Sequence, residues 1–166
     1  MKQKMEEALN GQFSMEVYSA NLYLAMSAYL ESKDLPGAAS WMKVQYKEEL
    51  DHALKLFNYV IARDGRATVA EVEAPPSEWE SPLSAFVSAY KHEQMITAAF
   101  VKLVKLAREE QDPATENFLQ WFVNEQVEEE SSVKRIVQNL KRVGETGNGL
   151  FLIDRELGAR VYTPLV

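Results

Sequence analysis

The 166-residue chain predicts an all-α fold: a four-helix bundle with one long crossover between its second and third helices, and a short fifth helix near the C-terminal end. Three observations carry this expectation. Apolar residues recur at steps of three, four or seven along four segments of about 25 to 30 residues each. Pro, Gly, Ser-Pro and Asp-Pro punctuate those segments. The connection between the two halves is seventeen residues long, Asp64 to Glu80, and at about 3.3 Å per residue it can run roughly 55 Å.

The first helix carries Leu9, Phe13, Ala20, Tyr23 and Leu30 on one face and ends near KDLPG. A second begins after Pro36, lines Trp41, Gln45, Glu49, His52, Leu56 and Tyr59 along one face, and stops at RDGR. No helical stripe crosses Asp64–Glu80, which contains Gly65, Pro75 and Pro76. Ser81 followed by Pro82 is an N-cap with Pro at the first helical position. The third helix then turns Phe86, Tyr90, Glu93, Ile96, Phe100, Leu103 and Val104 inward. Asp112-Pro113 repeats the cap, and the fourth helix presents Phe118, Phe122, Glu129, Val133, Ile136 and Leu140. At 1.5 Å per residue these helices are roughly 40 Å long. The bundle spans about residues 4–143, and one domain covers 1–166. After GETGNG, the stretch LFLIDREL forms a terminal helix at about 148–158. So apolar a helix on a monomer would expose much of its surface, which predicts a homo-oligomer.

Composition narrows the chemistry. With no cysteine, disulfides and thiolate metal sites are excluded. The net charge of −7, from 25 acidic against 18 basic residues, disfavours nucleic acid and favours cations as partners. The N-terminal MKQKMEEALNGQF lacks the apolar run of a signal peptide, and no segment approaches a membrane span of about 20 apolar residues. A cytoplasmic protein is expected.

Acids lie on the apolar stripes. Glu16 is in register with Phe13, Ala20 and Tyr23, and Glu93 lies between Tyr90 and Ile96. Glu49 and His52 are one turn apart on the second helix, as are Gln126 and Glu129 on the fourth. From Glu16 to Glu49 and His52 the separations are 33 and 36, and from Glu93 to Gln126 and Glu129 they are again 33 and 36, so the two hairpins repeat at an offset of 77. Glu48 maps onto Glu125 at the same offset of 77. Any one of these acids alone reads as a boundary glutamate or a salt-bridge partner. Together they form the constellation of di-iron carboxylate bundles, with one Glu-x-x-His motif intact and one altered to Gln126-x-x-Glu129. Buried carboxylates with no Lys or Arg on those faces need a shared cation or protons. Several carboxylates and one imidazole suit iron or manganese, with zinc a further option. His92 points about 100° away from Glu93 and is expected outside the site. Glu130 reads as part of a solvated face.

These pieces resemble the prokaryotic non-haem ferritins over almost the whole chain: MEVYS around Glu16, YKEELDH, YKHEQMIT around Glu93, NFLQWFVNEQVEEE and GLFLIDREL. The resemblance implies a shell of 24 subunits that oxidises Fe(II) with dioxygen or peroxide and stores ferric mineral. It assigns Glu16, Glu49, His52 and Gln126 to a first iron position, Glu49 bridging, and Glu93 and Glu129 to a second. Glu48, Glu125 and Glu128, sharing Glu129, match a third iron site toward the cavity. Tyr23 and Trp121 match aromatics beside the centre. Bacterioferritins differ by a histidine in both motifs and a haem-ligating methionine after the first motif's glutamate. Leu50 stands at that position here, so no haem is expected. The terminal helix matches the one that closes the shell around its fourfold axes.

Two rival functions remain: a di-iron enzyme acting on an organic substrate, and an interaction bundle whose acids form salt bridges. Gln126 favours storage over the first, because an amide is a weak neutral ligand and lets iron leave.

Overall fold

The computed structural model describes residues 1–144 and 147–165; Glu145 and Thr146 of the GETGNG stretch, and Val166, lie outside the described residues. Five helices follow in order: α1 Gln3–Glu31, α2 Pro36–Ala62, α3 Pro82–Glu109, α4 Pro113–Val143 and α5 Asn148–Leu157. There is no strand among the described residues.

Local chemistry sets the boundaries. Pro occupies the first turn of α2, α3 and α4, where its missing N–H costs nothing. Ser81 caps α3 reciprocally with Ser84: the Ser84 amide donates to Ser81 Oγ at 3.1 Å, and the Ser81 amide to Ser84 Oγ at 2.9 Å. Asp112 caps α4 by accepting from the Thr115 amide at 3.1 Å. At the other ends, Asp34, Asp64 and Gln111 adopt left-handed φ values of 58°, 56° and 54°. Each lets the next amide reach back to the helix: Leu35 to the Leu30 carbonyl, Gly65 to Val60 and Asp112 to Ala107. The repeat of the two hairpins extends to these turns, since Asp34 and Gln111, like Pro36 and Pro113, are 77 residues apart.

Helix α1 packs on α2 and α3 on α4, while α5 rests on α2 and α4. The long connection lies along α1. Its start is pinned by Asn10, which donates to the Arg66 carbonyl at 3.0 Å and accepts from the Thr68 amide at 2.9 Å. Its end is marked by Trp79, edge-on to Tyr29 at 5.3 Å. The connection therefore covers the length of α1 from Asn10 to Tyr29, about 28 Å at 1.5 Å per residue.

The core is in two parts. One holds Tyr23, Met26, Leu30, Met42, Phe86, Ile136 and the α5 residues Ile153 and Leu157. The other holds Leu9, Phe13, Leu56, Ile96, Phe100, Leu119 and Phe122. Burying each large apolar side chain contributes about 1.5–3 kcal/mol. Between the two parts every helix of the bundle contributes a polar residue: Glu16, Glu49 with His52, Glu93, and Gln126 with Glu129, all buried. Among the described residues no Cα of α2 lies within 8 Å of a Cα of α4. Long side chains bridge that gap: Gln45 reaches Glu129, and the Tyr59 ring stacks on Phe118.

Candidate metal centre

Glu16, Glu49 and His52 converge, one ligand atom from each lying within 4.8 Å of the others. His52 Nδ1 is 3.4 Å from Glu49 Oε2 and 4.0 Å from Glu16 Oε2. Gln12 donates to the other oxygen of Glu16 at 2.6 Å, but Glu16 Oε2, fully buried, accepts from no N–H or hydroxyl of the protein, and the Glu16 and Glu49 carboxyls can only share a proton between them. An orphaned carboxylate oxygen beside an imidazole is an arrangement that a cation completes. A second set, His52, Glu125 and Glu129, also offers ligand atoms within 4.8 Å of one another, so the histidine lies between two groups of carboxylates.

Helix α3 brings Glu93 to the same layer. Tyr23 donates its hydroxyl to Glu93 Oε1, and Gln126 Nε2 donates to Glu93 Oε2 at 3.0 Å. Gln45 reaches across from α2 to donate to Glu129. His52 is fixed edge-on against Trp121 at 5.4 Å and Phe122 at 6.1 Å, and Lys55 Nζ lies 4.4 Å from the Trp121 ring centre.

The electrostatics follow from burial. Desolvation, then the neighbouring Glu49 charge, holds Glu16 well above its usual 4.5. Glu49 is likewise held well above 4.5 by burial and by Glu93 and Glu129. Glu129 is raised well above its usual value by burial, Glu93 and Glu48. Glu93 is raised by burial, against the Tyr23 and Gln126 hydrogen bonds that favour its charged form. Burial and Glu93 push the Tyr23 phenol well above its ordinary 10.0. Acids so arranged hold protons readily, and a divalent cation would displace them. Oxygen donors with one imidazole suit hard or borderline first-row ions.

The outer acids are placed differently. Glu48 is half-buried and paired with Arg160, whose Nη2 donates to Glu48 Oε2 at 2.5 Å. Its pKa is raised by burial, against the opposing pull of that guanidinium. Glu125 is half-buried and Glu128 exposed. The Tyr23 and Trp121 rings adjoin the layer through Glu93 and His52 respectively. His92 faces elsewhere, with Nε2 2.7 Å from Ser19 Oγ, and burial lowers it to about 4. Glu130 departs from the solvated reading: it is half-buried and accepts from Thr97 Oγ1 at 2.6 Å.

Sequence reasoning missed the supporting donors. Gln12 precedes Glu16 by one helical turn, and that spacing could have marked it. Gln45 stood on the stripe without a role. Arg160 had no signal at all, because it lies beyond α5 and more than a hundred residues from its partners.

Comparison with known proteins agrees with this geometry. The ferritin family's profile, a ferritin-like domain, matches residues 6–143. The chain is 42% identical over 160 residues to a bacterial non-heme ferritin of Bacteroides fragilis, covering 96% of this chain and 99% of that one. It is 38% identical over 162 residues to a bacterial non-heme ferritin of Staphylococcus aureus, covering 98% of both. Among solved structures, an open-pore ferritin of Archaeoglobus fulgidus superposes with a TM-score of 0.96 at 50% identity, covering 97% of this chain and 99% of that one. A form of that ferritin engineered to be closed gives 0.97 at 50% identity over 98% and 99%.

Proposed function

The chain belongs to the ferritin family, among its prokaryotic non-haem members, and on that premise we propose that it oxidises Fe(II) and stores the ferric product inside a shell of 24 subunits. Iron is substrate and cargo here. Glu16, Glu49, His52 and Gln126 take the first ferrous ion, Glu49 bridging to a second held by Glu93 and Glu129. Glu48, Glu125 and Glu128, with Glu129 shared, hold a third on its way to the cavity. The observation that carries this reading is the buried Glu16–Glu49–His52 convergence with its orphaned Glu16 oxygen.

Each residue type has a task in that chemistry. The carboxylates lose protons as ferrous iron binds and then stabilise the higher ferric charge. A pair of ions yields two electrons together, which dioxygen or peroxide accepts more readily than one. Tyr23, donating to Glu93, keeps that carboxylate oriented and favours its charged form against the burial that raises it. Gln126 adds no charge, so the oxidised pair is held less tightly and moves on. Residues 1–166 act as one domain, with the terminal helix closing the shell. The protein works in the cytoplasm and carries no haem.

The test joins size to chemistry. Light scattering should report an assembly of about 24 chains, and ferrous iron added in air should give a fast absorbance rise saturating near two ions per chain. His52→Ala should slow that first phase at least about tenfold, the scale on which even the outer partners of metal ligands act. A small oligomer with no oxidation, or an unchanged rate in the variant, would sink the proposal.

A further inference from the structure

Beyond α5 the chain runs back along α2. Tyr162 donates its hydroxyl to Asp51 Oδ2 at 2.6 Å, and the Leu165 amide donates to the same oxygen at 3.2 Å. Lys47 Nζ lies 5.2 Å from the Tyr162 ring centre. Arg160 is the innermost contact of this strap. Its Nη1 donates to Gln45 Oε1 at 2.7 Å, its Nη2 is bonded to Glu48, and its guanidinium lies 4.5 Å from the Trp41 ring centre. Gln45 in turn donates to Glu129. One guanidinium thus neutralises Glu48 and, through Gln45, braces Glu129.

We propose that Arg160 is a tethered counter-cation of the outer carboxylates: it holds Glu48 in place of iron, and an arriving ferrous ion displaces it. This rests on the iron reading given above. Glu48 and Glu125 face the same layer as Glu129, and an outer ion bound there draws on the carboxylate that Arg160 occupies. A planar guanidinium over Trp41 and bonded to both Gln45 and Glu48 is a weakly hydrated cation that regains little from water on leaving, so it competes with iron for Glu48 more firmly than an ammonium would. It also has somewhere to go. A cleft of about 310 Å³, lined by Trp41, Ser132, Arg135, Asn139 and Glu156, opens beside Arg160. Arg160 is a positioning residue and not a ligand; it sets how strongly iron must bind to pass outward.

Anaerobic ferrous titration of the assembled protein, followed by calorimetry, separates a tight class of two ions per chain from a weaker outer class. In Arg160→Gln the outer class should bind up to about fivefold more tightly, the range expected for a partly exposed ion pair removed from competition. Arg160→Lys keeps the charge but not the planar fork, so its outer affinity should fall between those of the parent and of Arg160→Gln. The gain should vanish when Arg160→Gln is made in a Glu48→Gln background, an outcome that a general loosening of the strap would not produce. If the parent binds two tight ions and Arg160→Gln leaves the outer class unchanged or weaker, the proposal is overturned while the iron reading stands. If the parent takes up no ferrous iron, both fall.

Discussion

Gln126 is the residue at which the two hairpins differ in chemistry: the internal repeat places it opposite Glu49, yet it brings an amide whose nitrogen donates to Glu93 at 3.0 Å. Changing Gln126 to Glu adds a negative ligand at nearly constant volume and removes that donor. The variant should retain more ferric iron at the pair after chelator treatment and should oxidise a second ferrous addition several-fold more slowly than the parent, on the order of the tenfold that one changed partner costs. Equal retention and equal second-round rates would remove Gln126 from the control of iron release. The candidate site was legible where polar residues repeat at helical spacing on apolar faces, as with Glu16, Glu49, His52, Glu93 and Glu129, all of which the structure buries. It was illegible for Gln12, Gln45 and Arg160, because a neutral or basic side chain on a helix flank or in a tail carries no pattern until the fold brings it to a carboxylate.

At the scale of the elements, the join between α5 and the bundle is specific. Asp154 accepts from the Gly37 and Ala38 amides at 3.1 and 2.8 Å, so a carboxylate from α5 caps the N-terminus of α2, where free N–H groups and the helix dipole favour a negative charge. The approach is close enough to require glycine: a Cβ at Gly37 would sit 1.8 Å from the Asp154 carbonyl oxygen. Asp154→Ala should destabilise the protein by about 1 kcal/mol and speed proteolytic cutting between α4 and α5, read by urea unfolding and timed digestion. Unchanged digestion would show that Ile153 and Leu157 suffice to hold α5. Its other face stays open, with Phe151 68% and Leu152 60% exposed. That matches the expectation of an apolar surface left for another subunit.

For the molecule as a whole, the polar layer trades stability for binding. A carboxyl whose pKa folding raises binds protons more readily in the native state than in the unfolded one, so stability falls as pH climbs from 4.5 toward the raised value. His92 has the opposite sign. Lowered from 6.5 to about 4, it makes the native state lose stability as pH falls through that window, by about 3 kcal/mol in total. Above about pH 6.5 the carboxyls' loss acts without an opposing His92 contribution, so chelator-treated protein should lose stability to urea as pH rises further, whereas below it their gain on acidification opposes the His92 loss. Added ferrous iron should erase the alkaline loss by giving the carboxylates a counter-charge. Stability rising steadily from about pH 6.5 to pH 8 without metal would contradict the clustered-acid account.

The sequence by itself determined the four long helices, the crossing connection and the register of the buried polar residues, because helical periodicity, caps and prolines are local and the repeated hairpin wrote that pattern twice. The tertiary structure decided the rest. It alone divided the core around a polar layer, left Glu16 Oε2 without a donor, turned His92 toward Ser19, laid the long connection along α1 and brought Arg160 back onto Glu48 and Gln45. Those are contacts between residues tens to more than a hundred positions apart, set by which faces can be buried together, and no spacing along the chain encodes them.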